Sequence, residues 1–488
     1  MARKTKAAVS SKEAAKPPQP SNQSHAVASN GIVAWEDDPG SGVIGPQAVP
    51  DLAAKPLQFR FPKPAPAPKV YNQDTEQFRY WTAAEALRRG ADFWAAVGPV
   101  SRWEVGPILS VLLDEGEDLN AYYDRRALNF FHGPSGDGGT VYSGESPDIV
   151  CHEMGHAILD SIKPELWGAA SQEVAAFHES FGDMSAILSA LQLQTLRTKV
   201  LSATGGKVSK ASRLSRLAEQ LGAAIRAQAP DAVDRDCLRN AANSFTYKDP
   251  ATLPSSAPAA QLSSEPHSFS RVFTGAFFQI LGAMLQIKAT APMPTEAELL
   301  AVSTEFGGIL VRAIKAAPVV SDWYAQVAAQ IVLASGSVNQ AYPAAIKAIF
   351  VRRQILSLPS ATTLGLVAQA GAAVVAVAPV QQGALPKVAL SAEHYGLDGL
   401  LVVEAPGQYR AFIAAAAANN GQPIEPAAGA TAALHFVDDL FTRGRVDYAA
   451  AAHAQLDHRK RLKTHRVVGA NGNHRLERIL FDCGLCDR

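Results

Sequence analysis

A chain of 488 residues, 47% of them apolar, is long enough for two or three domains with ample core, so folding needs no disulfide support. Its 45 basic and 45 acidic residues cancel, and that balance gives no reason to expect a nucleic acid or a membrane surface as partner. Four cysteines, Cys151, Cys237, Cys483 and Cys486, are too few and too scattered for a secreted disulfide framework.

Residues 1–6 are basic, but no apolar stretch of the signal-peptide kind follows and no run of eighteen apolar residues occurs. The expectation is a chain without a membrane span, either cytoplasmic or exported without a Sec signal. Residues 1–30 are small and polar and residues 50–69 are proline-rich, so 1–69 reads as a disordered or extended arm. A docking tail for an acidic partner is the alternative, set against charge this sparse being simply solvated. Residues 74–96 carry Phe78, Trp81, Ala84, Leu87, Ala91 and Trp94 on one helical side, and Gly98-Pro99 ends the pattern. Strands are expected over 107–114 and 119–129, separated by the turn-prone 115–118. If the second is an edge strand, its free backbone can take up an extended peptide by strand addition. The glycine-rich 133–139 is a loop; it lacks the lysine and the strand-loop-helix order of a phosphate cradle.

The stretch Asp148-Ile149-Val150-Cys151-His152-Glu153-Met154-Gly155-His156 then carries chemistry. Histidines four apart on a helix stack on one face, so His152 and His156 can point at one ion, with Glu153 beside the open position. Pro147 and Asp148 suit a first turn, Pro164 ends the helix, and Cys151 reads as core. A second helix, from Glu173 to Asp183, supplies a third ligand in Glu179, 179 − 156 = 23 positions after His156. Asp183, one turn on, can accept the far N–H of a ligating histidine.

These two motifs resemble the thermolysin-like zinc metallopeptidases (gluzincins), whose pattern is H-E-x-x-H followed about twenty residues later by E-x-x-x-D. Further blocks follow in the family's order: Asn120-Ala121-Tyr122-Tyr123 is similar to its N-A-F-W edge strand, Leu238-Arg239-Asn240 to its L-R-S/N, and Pro266-His267-Ser268-Phe269-Ser270 to its H-x-N-S segment, ahead of a helix over 271–285. The likeness covers roughly residues 70–357. It implies an α+β, two-lobed metallopeptidase: an N-terminal β-rich lobe over 70–185 carrying the H-E-x-x-H helix, and a mostly helical lobe over 186–357. The implied cofactor is zinc on His152, His156 and Glu179, with Asp183 behind them. Glu153 is the implied general base, His267 the oxyanion stabiliser, and Asn120, Ala121 and Arg239 the implied substrate contacts. Ile149 and Leu238 would line an apolar pocket for the side chain after the cleaved bond. The partner is a peptide or protein substrate; the sequence fixes no oligomeric state.

Departures limit the carry-over. The spacing between His156 and Glu179 is longer than the family's, Trp167 replaces a tyrosine that helps bind the oxyanion, and His178 replaces an asparagine. Ala190 and the stretch 191–200 lack the acidic residues of the family's paired calcium site, although Asp148 remains, so no calcium is expected there. Glu265 is a possible orienting partner for His267. Secreted members carry a long folded prosegment, for which the residues before position 70 leave no room.

Helical patterns run over 207–227, 296–316, 323–333 and 341–356. Residues 358–488 read as a small α/β or helical appendage of unknown function, with β-like runs at 374–380, 400–404 and 409–418 and a hairpin turning at Asn471-Gly472. Cys483-Gly484-Leu485-Cys486 reads as a bare pair of thiols rather than a zinc or redox site. Two other functions stand beside the endopeptidase. An aminopeptidase needs a G-x-M-E-N segment that Gly282-Ala283-Met284-Leu285 does not supply, and a catalytically silent protein would use the fold for binding.

Overall fold

The computed structural model describes residues 31–98, 100–369, 384–407, 414–448 and 462–484, and the chain is a mixed α+β protein. It begins with a strand pair, β1 (Ile32–Trp35) and β2 (Val43–Gln47), followed by β3 (Gln58–Arg60). β1 is buried along its length and packs on α1 (Glu76–Val97), where Trp35 meets the Phe78 ring edge-on at 5.4 Å. Within the stretch 1–69, expected as a disordered or extended arm, residues 32–38 and Leu57, Phe59 and Phe61 are therefore packed into the body, while 62–69 is largely exposed. The apolar run from Ile32 to Trp35, and the alternation of Leu57, Phe59 and Phe61, bury enough surface to offset the ordering of a proline-rich stretch.

β4 (Ile108–Leu112), β5 (Ala121–Tyr123) and β6 (Ala127–Phe130) join β3 in a five-stranded sheet. The single strand expected over 119–129 is instead two, broken by a turn. Arg125 takes a left-handed backbone there (φ 59°), and Asp124 Oδ1 accepts from the N–H groups of Arg126 and Ala127. β7 (His132–Pro134) and β8 (Thr140–Tyr142) pair across the glycine-rich loop.

Helices α2 (Pro147–Ile162) and α3 (Gln172–Ala190) pack against each other at the centre of the molecule. α4 (Gln194–Thr204), β9 (Arg216–Leu217), α5 (Glu219–Gln228) and β10 (Arg239–Asn240) follow, β9 and β10 pairing antiparallel. The helix expected over 207–227 is thus only its last part, because Gly205 and Gly206 end α4 in left-handed conformations and an irregular stretch intervenes. α6 (Pro266–Lys288), α7 (Glu296–Ala316), α8 (Trp323–Gly336), α9 (Tyr342–Arg352) and α10 (Leu358–Gln369) make a helical layer against α3. α6 is long and apolar enough to cross a membrane, and most of it is buried inside the protein.

The remaining residues build a second five-stranded sheet, in the order β11 (Lys387–Ser391), β12 (Leu400–Glu404), β15 (Asn473–Arg478), β14 (His465–Ala470), β13 (Val446–Asp447), with α11 (Gly429–Thr442) beside it. The Asn471-Gly472 hairpin is present, both residues at positive φ as a type I′ turn requires. The expected run 374–380 lies outside the described residues, as does the first half of 409–418; the second half, 414–418, forms only an isolated bridge at Ala417. Part of region 358–488, expected as an appendage, joins the first sheet. Its last strand, β16 (Phe481–Asp482), crosses over to the first sheet and pairs antiparallel with β5.

Candidate metal centre

Local chemistry sets both site helices. The Ser146 hydroxyl accepts from Ile149 N–H and Pro147 opens α2; the Ser171 hydroxyl accepts from Val174 N–H at the start of α3. Glycine brings the two together. A Cβ on Gly155 would stand 2.9 Å from Gly182 Cα, and a Cβ on Gly182 would stand 2.5 Å from His152 Cε1. Only hydrogen fits at these crossing points, so the helices approach closely enough for α3 to present a carboxylate to the α2 histidines.

His152 Nε2 lies 3.3 Å from Glu179 Oε2, and His156 Nε2 lies 3.8 Å from Glu179 Oε1. Ligand atoms about 2.0–2.1 Å from a tetrahedral zinc stand roughly 3.3–3.4 Å apart, so these spacings suit an ion between them. The three residues are almost wholly buried, and they form a group that could hold a metal. His152 Nε2, both ring nitrogens of His156 and both carboxylate oxygens of Glu153 find no hydrogen-bond partner among the described residues. Buried polar atoms left unpaired are costly, and a shared cation would satisfy the two Nε2 atoms at once.

Burial pushes Glu153 up to about 8 and drives His156 down to about 3, the latter helped by the neighbouring cations His152, His267 and Arg239. Burial would lower His152 too, but the carboxylates of Asp183 and Glu179 beside its ring leave it raised. Burial would raise Glu179; His267 and His156 hold it well below the usual carboxylate range. Asp183 stands behind His152, its Oδ1 3.2 Å from Nδ1; the same oxygen accepts from Arg239 Nη2 at 3.0 Å, and Oδ2 accepts from the Thr274 hydroxyl at 3.1 Å.

His267 arrives from the first turn of α6, whose N-cap is Glu265. One Glu265 oxygen accepts from Ser268 N–H at 2.8 Å and the other lies 2.7 Å from His267 Nδ1. Its Nε2 faces the centre, 3.1 Å from Glu179 Oε2. His152, Glu153, His156, Glu179, Asp183, Arg239 and His267 therefore lie at one place, with Glu265 beside His267. Leu238 lines a cavity of about 110 Å³ together with Arg239, His267 and Gly484, whereas Ile149 is buried and does not line it.

β5 is the sheet edge that the sequence reading placed beside the substrate, and the chain's own β16 lies on it. Phe481 pairs with Tyr123 and Asp482 with Tyr122; Cys483 N–H donates to Ala121 O at 2.9 Å and Gly484 N–H to Asn120 Oδ1 at 2.7 Å. His267 Nε2 is hydrogen-bonded to the Asp482 carbonyl. Phe481 stacks on His178 at 3.9 Å and on His156 at 5.1 Å, and meets Trp167 edge-on. Cys483 is a free, buried thiol whose Sγ lies within 4.8 Å of a ligand atom of His152 and of Glu153, and it accepts from Arg239 Nη2 at 3.8 Å. Sequence reasoning missed this segment; its partner Cys486 lies outside the described residues. The one available signal was the apolar Leu480-Phe481 directly after the hairpin.

Burial, and then the neighbouring Asp37 and Asp38, raise the carboxyl of Asp148, the one acidic residue left at the place of the family's calcium site. Arg213 pairs with Asp37 and with Glu36, and Lys199 pairs with Glu36 at 2.8 Å. Comparison of the chain with protein-family models and with curated proteins finds no match in either.

Proposed function

We propose that this protein is a zinc-dependent endopeptidase with the thermolysin-like two-lobed plan, residues 70–185 and 186–357 flanking the site. The observation that carries the reading is the convergence of two imidazoles from α2 and one carboxylate from α3, with the unpaired Glu153 carboxylate beside them. His152, His156 and Glu179 would hold the metal. Zinc, when bound in such a site, lowers the pKa of its water towards neutrality and polarises a carbonyl. Glu153 takes the proton of the attacking water at a carboxylate oxygen and delivers it to the nitrogen of the leaving amine. His267, held by Glu265, offers Nε2–H to the oxygen on which charge develops. Asp183 fixes His152 and Arg239 together, so that the histidine tautomer and the guanidinium position are set by one carboxylate. Trp167 has no titratable proton, so oxyanion stabilisation rests more heavily on His267 than in a site with a tyrosine at that place.

An extended backbone seated on β5 supports an endopeptidase over a silent binding protein: Asn120, Ala121 and His267 all meet it with backbone-directed hydrogen bonds. The test is peptide hydrolysis by the wild type and by Glu153→Gln. Loss on the order of a hundredfold or more with zinc retained is expected; equal, low rates would favour the binding function.

A further inference from the structure

Four residues occupy the cleft in the manner of a substrate, and one peptide group among them is held at both ends. The carbonyl oxygen of Asp482 is on His267 Nε2, the donor assigned above to the developing oxyanion. The amide N–H on the other side of the same bond, that of Cys483, is on Ala121 O at 2.9 Å. Gly484, one residue further, is on Asn120. Upstream, Phe481 fills a site made by His178, His156, Trp167 and the Arg478 guanidinium, which lies 4.0 Å over its ring. The Asp482 side chain is anchored by Arg445 through two hydrogen bonds of 2.8 Å, both groups being buried. The unpaired Glu153 carboxylate shares this place with the Cys483 side chain, its ligand atoms within 4.8 Å of Sγ.

We infer that the Asp482–Cys483 bond is this site's own first substrate, and that the chain processes itself by one intramolecular cut there. The inference rests on the endopeptidase reading given above. In the step, water adds across the C–N bond: its oxygen joins the Asp482 carbonyl carbon, Glu153 carries its proton to the Cys483 nitrogen, and the bond between them breaks. The second proton of the water passes from the new carboxyl group to the amine, so the products are a carboxylate at Asp482 and an ammonium group at Cys483. Before the cut, the segment covers the backbone edge of β5 and keeps other peptides out. Afterwards the hydrogen bonds made by Cys483 and Gly484 no longer tether anything, and the side of the cleft around Arg239 and Leu238 opens. The cut is favoured over use as a lasting inhibitor because the segment runs antiparallel to β5 with its carbonyl on the oxyanion donor, the arrangement that leads to attack. Effective concentrations for groups held this way reach the order of 10⁵ M or more, so the reaction is fast relative to any bimolecular one.

The test uses the full chain, prepared metal-free and then given zinc, and follows intact mass. The expected result is loss of residues 483–488 with a rate constant independent of protein concentration. Glu153→Gln, carrying one zinc, stays whole. Cys483→Pro removes the N–H that Ala121 accepts; it should stay whole and should cut an added peptide without the lag that the wild type shows. A readout independent of turnover is amide hydrogen exchange in metal-free Glu153→Gln, where the Cys483 and Tyr123 amides should be protected. Wild type that binds zinc and cuts an added peptide yet remains 488 residues long overturns the inference and leaves the endopeptidase reading intact. A Cys483 amide that exchanges as fast as a fully exposed one also overturns it. A wild type that binds no zinc removes both.

Discussion

Glu179 Oε2 and His152 Nε2 stand 3.3 Å apart although they belong to different helices, and the backbone of Gly182 passes directly under the histidine ring. A side chain at position 182 would have to enter the ring of His152 itself, within 2.6 Å of Nδ1. Gly182→Ala should therefore both destabilise the fold, by about 1–3 kcal/mol as overpacked cores do, and lower metal content. Chemical denaturation and metal analysis check it; an alanine variant with wild-type stability and metal content would mean that the close approach does not set the site.

Asp183 serves His152, Arg239 and Thr274 at once. Replacing it with asparagine keeps the shape but removes the charge that holds the imidazole and the guanidinium. Metal affinity should fall about 10–100-fold, as for other partners of ligating histidines. Competition with a chelator measures this, and unaltered affinity would assign Asp183 to packing alone.

Glu173 gives a pH test away from the centre. Burial pushes its carboxyl up to about 8, against hydrogen bonds from the Tyr247 hydroxyl and the Tyr324 N–H. The folded chain thus keeps a proton that the unfolded chain, with an ordinary value near 4.5, gives up. Across that window the folded state binds more protons, so stability falls as pH rises from about 4.5 to about 8. Glu173→Gln should flatten the decline by up to about 1.4 kcal/mol per pH unit in denaturation series on metal-free protein. Parallel curves for the two proteins would show that Glu173 ionises normally.

What could be read ahead of the structure follows from how local each feature is. The i, i+4 histidines, the helix that carries Glu179 and the periodic stretch of α7 are local patterns, and each stands where periodicity placed it. The Asn471-Gly472 turn is legible for the same reason. Composition misled at the start of the chain, where prolines between 50 and 69 outweighed the alternation of Leu57, Phe59 and Phe61 that builds β3. Splitting of 119–129 into β5 and β6 depended on one left-handed residue, Arg125, which carries no glycine or asparagine signal. The seating of Phe481 on Tyr123 was illegible, since pairing between strands so far apart in the chain leaves no trace in either one's sequence.

Metal stoichiometry tests the central claim most directly. Protein purified without chelator should carry one zinc per chain, and Glu179→Ala and His156→Ala should each lose it while remaining folded by far-ultraviolet circular dichroism. A wild-type chain that takes up no metal, or a Glu179→Ala chain that holds zinc as tightly as the wild type, would contradict the account.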